Sequence, residues 1–338
     1  MPLLKNEPVE NTFLQCGGSL PSLTTSMIGA QTWPLHGLNV RSNYPLLFPS
    51  VFTAENDLTI RYEGLMPRPS GSPTAVRSML WKQEGNEWVL YYHFRTGDVL
   101  EFRLPERGKS LSVRHTFHEW KDILLLLLGG GLGASLYLQG VPIFHGTSVV
   151  MDGAAVLLVG HSDTGKSTIT GLLASQGYPF LCDDLAALRI EDGDLTVQPS
   201  HPWLKLHRRS AVLLGLPEKD LRPVFASSPE YPERWLDTNM LSGGFRDTPA
   251  PLRGIYIIAG RRDDIHTPRI YELSPGNGCL ALTGHLYGRR WLNIPQESAL
   301  RLCARIAETV PVRRVWLPEG LDNMRVAADA IMADAVTL

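Results

Sequence analysis

An apolar stretch at residues 154–159 leads directly into the motif Gly160-x-x-x-x-Gly165-Lys166-Ser167-Thr168, and a helix-like run at 169–176 follows. Glycines let the backbone N–H groups of such a loop point inward at an anion, and the start of the next helix adds its positive end. This order of strand, loop and helix predicts a nucleoside triphosphate site. Lys166 is expected to reach the β- and γ-phosphates, and Ser167 to hold Mg²⁺ through its hydroxyl. The predicted nucleotide contacts are Gly160, His161, Ser162, Asp163, Thr164, Gly165, Lys166, Ser167 and Thr168.

Two adjacent carboxylates, Asp183 and Asp184, follow the loop after only one short helix and the apolar strand 180–182. Such a unit is expected to bring the end of the second strand back beside the mouth of the loop. One carboxylate could then position Mg²⁺, and the other could accept a proton from an incoming hydroxyl. The spacing does not rank the two. The alternative is a surface turn, which the apolar strand disfavours.

A histidine upstream of the loop completes the predicted cluster. His145 lies in the strand 143–151, and Asp152-Gly153 predicts a tight hairpin that returns the chain as the strand feeding the loop. The antiparallel pairing would place His145 near the loop end of that strand. A lone histidine in a strand is more often a core or edge residue.

These motifs together resemble the HPr kinase/phosphorylase family in the relative positions of His145-Gly146, the loop, and Leu181-Cys182-Asp183-Asp184. The resemblance covers roughly residues 119–338. It implies that His145 and Lys166 are catalytic and that Asp184 accepts the proton, with Asp183 as a partner for metal or water. It also implies ATP and Mg²⁺ as cofactors. It further implies a homo-oligomer, for which the sequence itself gives no independent indication.

The chain departs from that family at three points. Asp163 and Thr168 stand where the family usually has Gly and Glu, and the family's second, metal-binding Glu signature has no match. A carboxylate at Asp163 is unfavourable beside a triphosphate unless it points outward or toward the metal. These departures argue against HPr itself as the substrate.

The similarity is closer to HPr-kinase-like proteins of peptide biosynthesis, on the stretches Pro202-Trp-Leu-Lys205-Leu206 and Pro251-Leu-Arg253. Among these, lasso-peptide kinases phosphorylate the C-terminal Ser of a precursor peptide. That function would require cations to receive the peptide carboxylate, although each cation alone could be an ordinary surface residue. The candidates are Lys205, Arg208, Arg253, Arg289 and Arg290.

The favoured function is therefore a kinase that transfers the γ-phosphoryl group of ATP to a Ser or Thr hydroxyl of a peptide or protein. HPr and free serine are alternative acceptors. A hypothesis of another class is a nucleotide-dependent binding or regulatory module that transfers nothing.

The composition indicates which classes of partner and which cellular compartment to expect. The chain has 338 residues, 43% of them hydrophobic, and a net charge of -2, which disfavours nucleic acid as a partner. Its four scattered cysteines form no C-x-x-C pair and no leader opens the chain, so a cytoplasmic protein is expected. The apolar run 123–138 is shorter than a span of ~20 residues and contains glycines, so a core helix is expected, not a membrane segment.

The predicted fold class is α/β, with two domains. Residues 1–118 are expected to form a small β-rich domain for substrate or partner recognition, with an irregular lead-in to about residue 50. Residues 119–338 are expected to form an HPr-kinase-like P-loop domain with a mixed sheet. Within it, residues 255–259 and 269–273 are predicted to be paired strands, and 217–251 a loop-rich stretch.

Overall fold

The computed structural model describes residues 31–338 except 44–45, 47, 49, 53–56, 67–77, 95–96, 106, 118, 193 and 290. The described chain has an α/β fold in which two sheets contain eight strands and a third contains three. Both large sheets mix parallel and antiparallel pairs.

The N-terminal sheet has the strand order β3-β1-β2-β4-β8-β7-β6-β5. Its last four strands form an antiparallel meander, whose turns carry Gly85 and Gly97 at positive φ. Buried and half-buried residues alternate along β8, as expected for a strand with one face on a core. The strands are β1 (Gln31–Leu35), β2 (Leu38–Ser42), β3 (Val51–Phe52), β4 (Leu58–Leu65), β5 (Ser78–Glu84), β6 (Glu87–His93), β7 (Val99–Pro105) and β8 (Ser110–His115).

The hairpin of β1 and β2 lies inside the stretch that the sequence predicted to be irregular, so that prediction was wrong for residues 31–42. Pro34, exposed in β1, argues against a strand in the sequence, and short strands give little periodicity. The hairpin turn reaches the C-terminal half of the chain. There the His36 N–H donates to the carbonyl of Pro199 at 2.7 Å, and Arg189 donates to the carbonyl of Gly37 at 3.2 Å.

A leucine-rich helical segment joins the two large sheets. Its window Lys121–Leu138 is long and apolar enough to cross a membrane, with a mean hydropathy of 1.4, but 78% of it is buried inside the structure. Its leucines share a core with the N-terminal sheet, as expected for a core helix. The segment runs through a 3-10 turn (Trp120–Ile123), α1 (Leu124–Leu126), a π-helical turn (Leu127–Gly131) and α2 (Leu132–Leu138).

The second large sheet holds the loop strand, β10, between antiparallel β9 and parallel β17. Helices α3 and α7 cover one face of this sheet, and α5 and α6 cover the other. The elements are β9 (Ile143–Met151), β10 (Ala154–Gly160), α3 (Lys166–Ser175), β11 (Phe180–Cys182), β12 (Leu185–Glu191), β13 (Asp194–Val197), β17 (Ala250–Arg262), β18 (Arg269–Leu273), α5 (Pro275–Thr283), α6 (Gln296–Thr309), β19 (Val312–Pro318) and α7 (Asn323–Ala335).

The predicted pairing of 255–259 with 269–273 is wrong, because β19 lies between β17 and β18 and pairs with both. The pairs β10–β17 and β17–β19 are parallel, so these three strands end at the same edge of the sheet, where the loop begins.

A small antiparallel sheet of order β14-β16-β15 packs beside α3. Its two later strands lie in the stretch 217–251, which the sequence described as loop-rich. The elements are β14 (Trp203–His207), α4 (Arg208–Leu213), a 3-10 turn (Glu218–Asp220), β15 (Leu221–Pro223), β16 (Glu233–Asp237) and a 3-10 turn (Thr238–Met240).

Candidate functional site

The glycine-rich loop connects β10 to α3 at the edge where the parallel strands end. A Cβ at Gly160 would lie 2.8 Å from the carbonyl oxygen of Ile258, so the loop needs glycine there. Gly165 has φ 105°, and Asp163 has φ 63°, in the left-handed region that Asp adopts more readily than most residues. Asp163 is exposed. An Asp at this position is therefore compatible with the loop's backbone.

Lys166 begins α3 and is only 7% exposed. Its Nζ donates to the carbonyl oxygens of Gly160 at 2.9 Å and His161 at 2.8 Å, which folds the side chain back over the loop. Burial lowers the pKa of Lys166 to about 8, against the opposing effect of Asp183 and Asp184. The cation is thus held at the loop's inner side.

Asp183 lies in the short connection between β11 and β12, both of which pair with β9. Its Oδ1 accepts a hydrogen bond from Ser167 Oγ at 3.2 Å, and its Oδ2 accepts one from the backbone N–H of Lys205 at 2.9 Å. The residue is 5% exposed. Burial and the neighbouring charge of Asp184 raise the pKa of Asp183. The structure thus brings Ser167 and Asp183 together.

Asp184 adopts φ 66°, in the left-handed region, and its carboxylate has a different partner from that of Asp183. Its Oδ1 lies 3.3 Å from Nδ1 of His145, and 31% of the Asp184 side chain is exposed. The two residues meet because His145 pairs with Leu185 across β9 and β12. Burial acts to raise the pKa of Asp184, but the charges of Lys205, His145 and Lys166 outweigh it and lower this pKa. The pKa of Asp183 is therefore raised, whereas the pKa of Asp184 is lowered.

Lys205 comes from β14 and adds a second cation beside the carboxylates. Burial acts to lower the pKa of Lys205, but Asp184, Glu233 and Asp183 outweigh burial and raise it. Its Nζ lies 3.5 Å from Glu233. Of the five predicted substrate cations, the structure places Lys205 at the carboxylate pair.

The other predicted substrate cations have different surroundings. Arg208 contacts Glu218 at 3.1 Å, and Arg289 donates to the carbonyl of Ile294 at 3.3 Å. Arg253 follows Leu252, which pairs with Ala155 at the start of β10, the end opposite to the loop. The strand therefore carries Arg253 away from the loop and the carboxylate pair. Arg290 lies outside the described residues.

Three histidines lie together at the site. The sequence indicated His145 and His161 but not His285. The rings of His161 and His285 are 5.0 Å apart, and the His285 carbonyl accepts a hydrogen bond from the His145 N–H at 3.0 Å. Burial, followed by the charges of His161, Lys166 and His145, lowers the pKa of His285 to about 4. His285 comes from a distant segment that carries no motif, so sequence reasoning missed it.

The leucine-rich segment closes the site on the side of the N-terminal sheet. A Cβ at Gly129, in the π-helical turn, would lie 3.4 Å from Asp184 Oδ2 and 3.6 Å from the Tyr287 hydroxyl. The helix backbone at Gly129 therefore lies in close proximity to the Asp184 carboxylate. A small cavity here is lined by Leu125, Leu128, Gly129, Asp183, Asp184, His201 and Trp235.

The oxygen ligands of Ser167 and Asp183 fit Mg²⁺, which is held in phosphate-transfer sites by one or two protein oxygens together with phosphates and water. Among the described ranges of the chain, no group of three or more His, Cys, Asp or Glu side chains could hold a metal ion alone. A metal here would thus share its coordination with the nucleotide.

Comparison with known proteins gives little further guidance. No family model matches the chain, and no curated protein sequence matches it. Among solved structures, the HPr(Ser) kinase/phosphatase from Coxiella burnetii is 13% identical, with a TM-score of 0.31 over 58% of this chain and 96% of that one. A similarity at that level decides neither family nor activity, so a functional proposal depends on the geometry of the site.

Proposed function

We propose that the chain is an ATP- and Mg²⁺-dependent phosphotransferase that acts on an alcohol. The observation that carries the proposal is the convergence of Lys166, Ser167, Asp183, Asp184 and His145 at the start of α3. A phosphate loop alone would suit any nucleotide-binding protein. The site adds a pair of carboxylates, of which Asp183 is buried and Asp184 is partly exposed. Such a pair suits the transfer of a phosphoryl group to a second substrate.

The loop and Lys166 would hold the β- and γ-phosphates through backbone N–H groups and one buried cation. Ser167 and Asp183 would hold Mg²⁺, which neutralises charge on the phosphate oxygens when bound. Asp183 suits this role because its two oxygens already face Ser167 and the N–H of Lys205, which fix its orientation.

Asp184 would receive the acceptor hydroxyl. Its lowered pKa keeps it ionised at neutral pH, and its partly exposed side chain can accept a proton. In the transfer, a bond forms between the acceptor oxygen and the γ-phosphorus, and the bond from that phosphorus to the β–γ bridging oxygen breaks. The hydroxyl proton passes to Asp184, and ADP leaves. His145 would keep the carboxylate aimed at the acceptor.

The acceptor we propose is the C-terminal Ser of a lasso-type precursor peptide. Lys205 supports this choice, because its ammonium group lies beside the carboxylates, where it could meet the peptide's terminal carboxylate. HPr and free serine also present hydroxyls, and they are the competing acceptors for the test.

The test incubates the protein with ATP and Mg²⁺ and one acceptor at a time, and follows the acceptor's mass. The acceptors are a precursor peptide ending in Ser, the same peptide ending in Ala, HPr, and free serine. Phosphate added to the Ser-ending peptide alone supports the proposed acceptor. If phosphate is transferred only to HPr or only to free serine, the proposed phosphotransferase activity stands, but the proposed acceptor is wrong. Nucleotide binding without transfer to any hydroxyl favours the regulatory module instead.

A further inference from the structure

A third cation lies beside the loop, on the side opposite the carboxylate pair. A guanidinium nitrogen of Arg261 is 3.8 Å from the Cβ position of Gly165, the residue that precedes α3. The other neighbours of this position are Met324, with its sulfur at 3.1 Å, and Leu317, at 3.8 Å. Arg261 thus approaches the loop from the side of β17, β19 and α7.

The sheet topology separates Arg261 from the proposed acceptor side. His145 is on β9, and the Asp183-Asp184 connection also adjoins β9, while Arg261 is on β17. Strand β10 lies between β9 and β17 and ends in the loop. The loop is therefore flanked by the carboxylates on one side and by a guanidinium on the other.

Arg261 is also available to bind an anion. It is half-buried and has no hydrogen-bond or ion-pair partner among the residues that the structure describes. Its neighbour Arg262 is engaged, since it pairs with Asp264 at 2.5 Å and lies over the Trp316 ring at 5.7 Å. A half-buried guanidinium without a partner among the described residues, beside a loop whose sequence predicts phosphate binding, favours a phosphate ligand.

We infer that Arg261 binds the phosphates of the nucleotide that remain after transfer, the α- and β-phosphates. This inference rests on the proposed nucleotide site. Lys205 lies on the side of the carboxylates, where the acceptor would enter, whereas Arg261 approaches the loop from the other side. There its charge stabilises the negative charge that builds up on ADP as the phosphoryl group leaves.

The test measures the equilibrium binding of ADP, ATP and adenosine to wild-type protein and to Arg261→Ala, Arg261→Lys and Arg262→Ala. Loss of one charge-assisted contact should weaken ADP binding by roughly tenfold to a hundredfold in Arg261→Ala. Arg261→Lys should recover part of the loss, and Arg262→Ala should bind ADP like the wild type. Adenosine binding should not change, and added salt should shrink the difference between Arg261→Ala and wild type.

Three results would overturn the inference: wild-type ADP affinity in Arg261→Ala, an equal loss of adenosine affinity, or no ADP binding by the wild-type protein. Melting temperatures of the variants show whether they are folded, and Arg261→Lys keeps the test decisive if Arg261→Ala is not. Phosphoryl transfer is measured separately. A wild-type protein that binds ADP through Arg261 but phosphorylates no acceptor would contradict the proposed function and support this inference.

Discussion

The hydroxyl of Ser167 donates a hydrogen bond to Oδ1 of Asp183 at 3.2 Å, although the two residues lie 16 positions apart on a helix start and a strand end. The contact exists because α3 returns the chain to β11, and β11 pairs with β9 beside the loop strand. Two oxygen ligands for a hard cation therefore meet at the mouth of the loop.

Replacing Asp183 with Asn should uncouple nucleotide binding from Mg²⁺. The side chain keeps its shape, and its oxygen can still accept from the Lys205 N–H, so the fold should survive. ATP affinity in the presence of Mg²⁺ should fall roughly tenfold or more, while affinity in EDTA should change little. Calorimetric titration with and without Mg²⁺ measures both. A variant whose ATP binding still depends on Mg²⁺ as in the wild type would argue against this metal site.

Nucleotide binding should weaken as the pH rises from 7 to 9. The pKa of Lys166 is lowered to about 8 by burial, so the side chain carries its charge below pH 8 and loses it above. A neutral amine attracts phosphate less, so the dissociation constant of ADP should increase across this interval. Lys166→Arg is the control, because arginine stays charged and its pH profile should be flat. If the ADP dissociation constant of the wild type does not change between pH 7 and 9, Lys166 does not bind the phosphates through its charge.

Packing of the N-terminal sheet on the leucine-rich segment can be tested at Gly130. A Cβ there would collide with the Tyr92 hydroxyl. Gly130→Ala should therefore destabilise the protein by about 1–3 kcal/mol, as overpacked cores do. Gly276→Ala is the matched control, since its Cβ meets nothing and it lies in α5, where alanine is preferred to glycine. Thermal melts compare the two, and equal melting temperatures would disprove the contact.

The sequence predicted the juxtaposition of those site residues that are local in the chain. His145, the loop and Asp183-Asp184 belong to one continuous unit of hairpin, loop, helix and strand, so their juxtaposition follows from short-range pairing. Arg261 and His285 approach the loop from different sides through later strands and loops, and no motif marks either of them. Their positions depend on how β17 and the segment after α5 meet the sheet.

The strand errors have physical causes as well. Residues 255–259 and 269–273 were predicted to pair because they are neighbours in the chain, but β19 returns from α6 and lies between them. The same order of strands makes β10, β17 and β19 parallel and gathers their ends beside the loop. The distance of Arg253 from the loop has a related cause, since Arg253 lies near the start of β17 and the loop adjoins the other end of that strand.

The partly exposed, left-handed position of Asp184 allows a decisive comparison. Asn adopts φ near 66° as readily as Asp, so Asp184→Asn should fold normally while it loses the proton acceptor. Asp152→Asn is its matched control, because Asp152 also has positive φ, at 49°, and lies in the β9–β10 turn at the far end of the strand from the loop.

The most direct measurement is the rate of acceptor-dependent ADP formation by wild type, Asp184→Asn and Asp152→Asn, with a precursor peptide ending in Ser. We expect Asp184→Asn to lose roughly 10²- to 10⁴-fold in rate while it still binds ADP, and Asp152→Asn to match the wild type. An Asp184→Asn protein that forms ADP at the wild-type rate would contradict the assignment of Asp184 as the base, and with it the proposed phosphotransferase site.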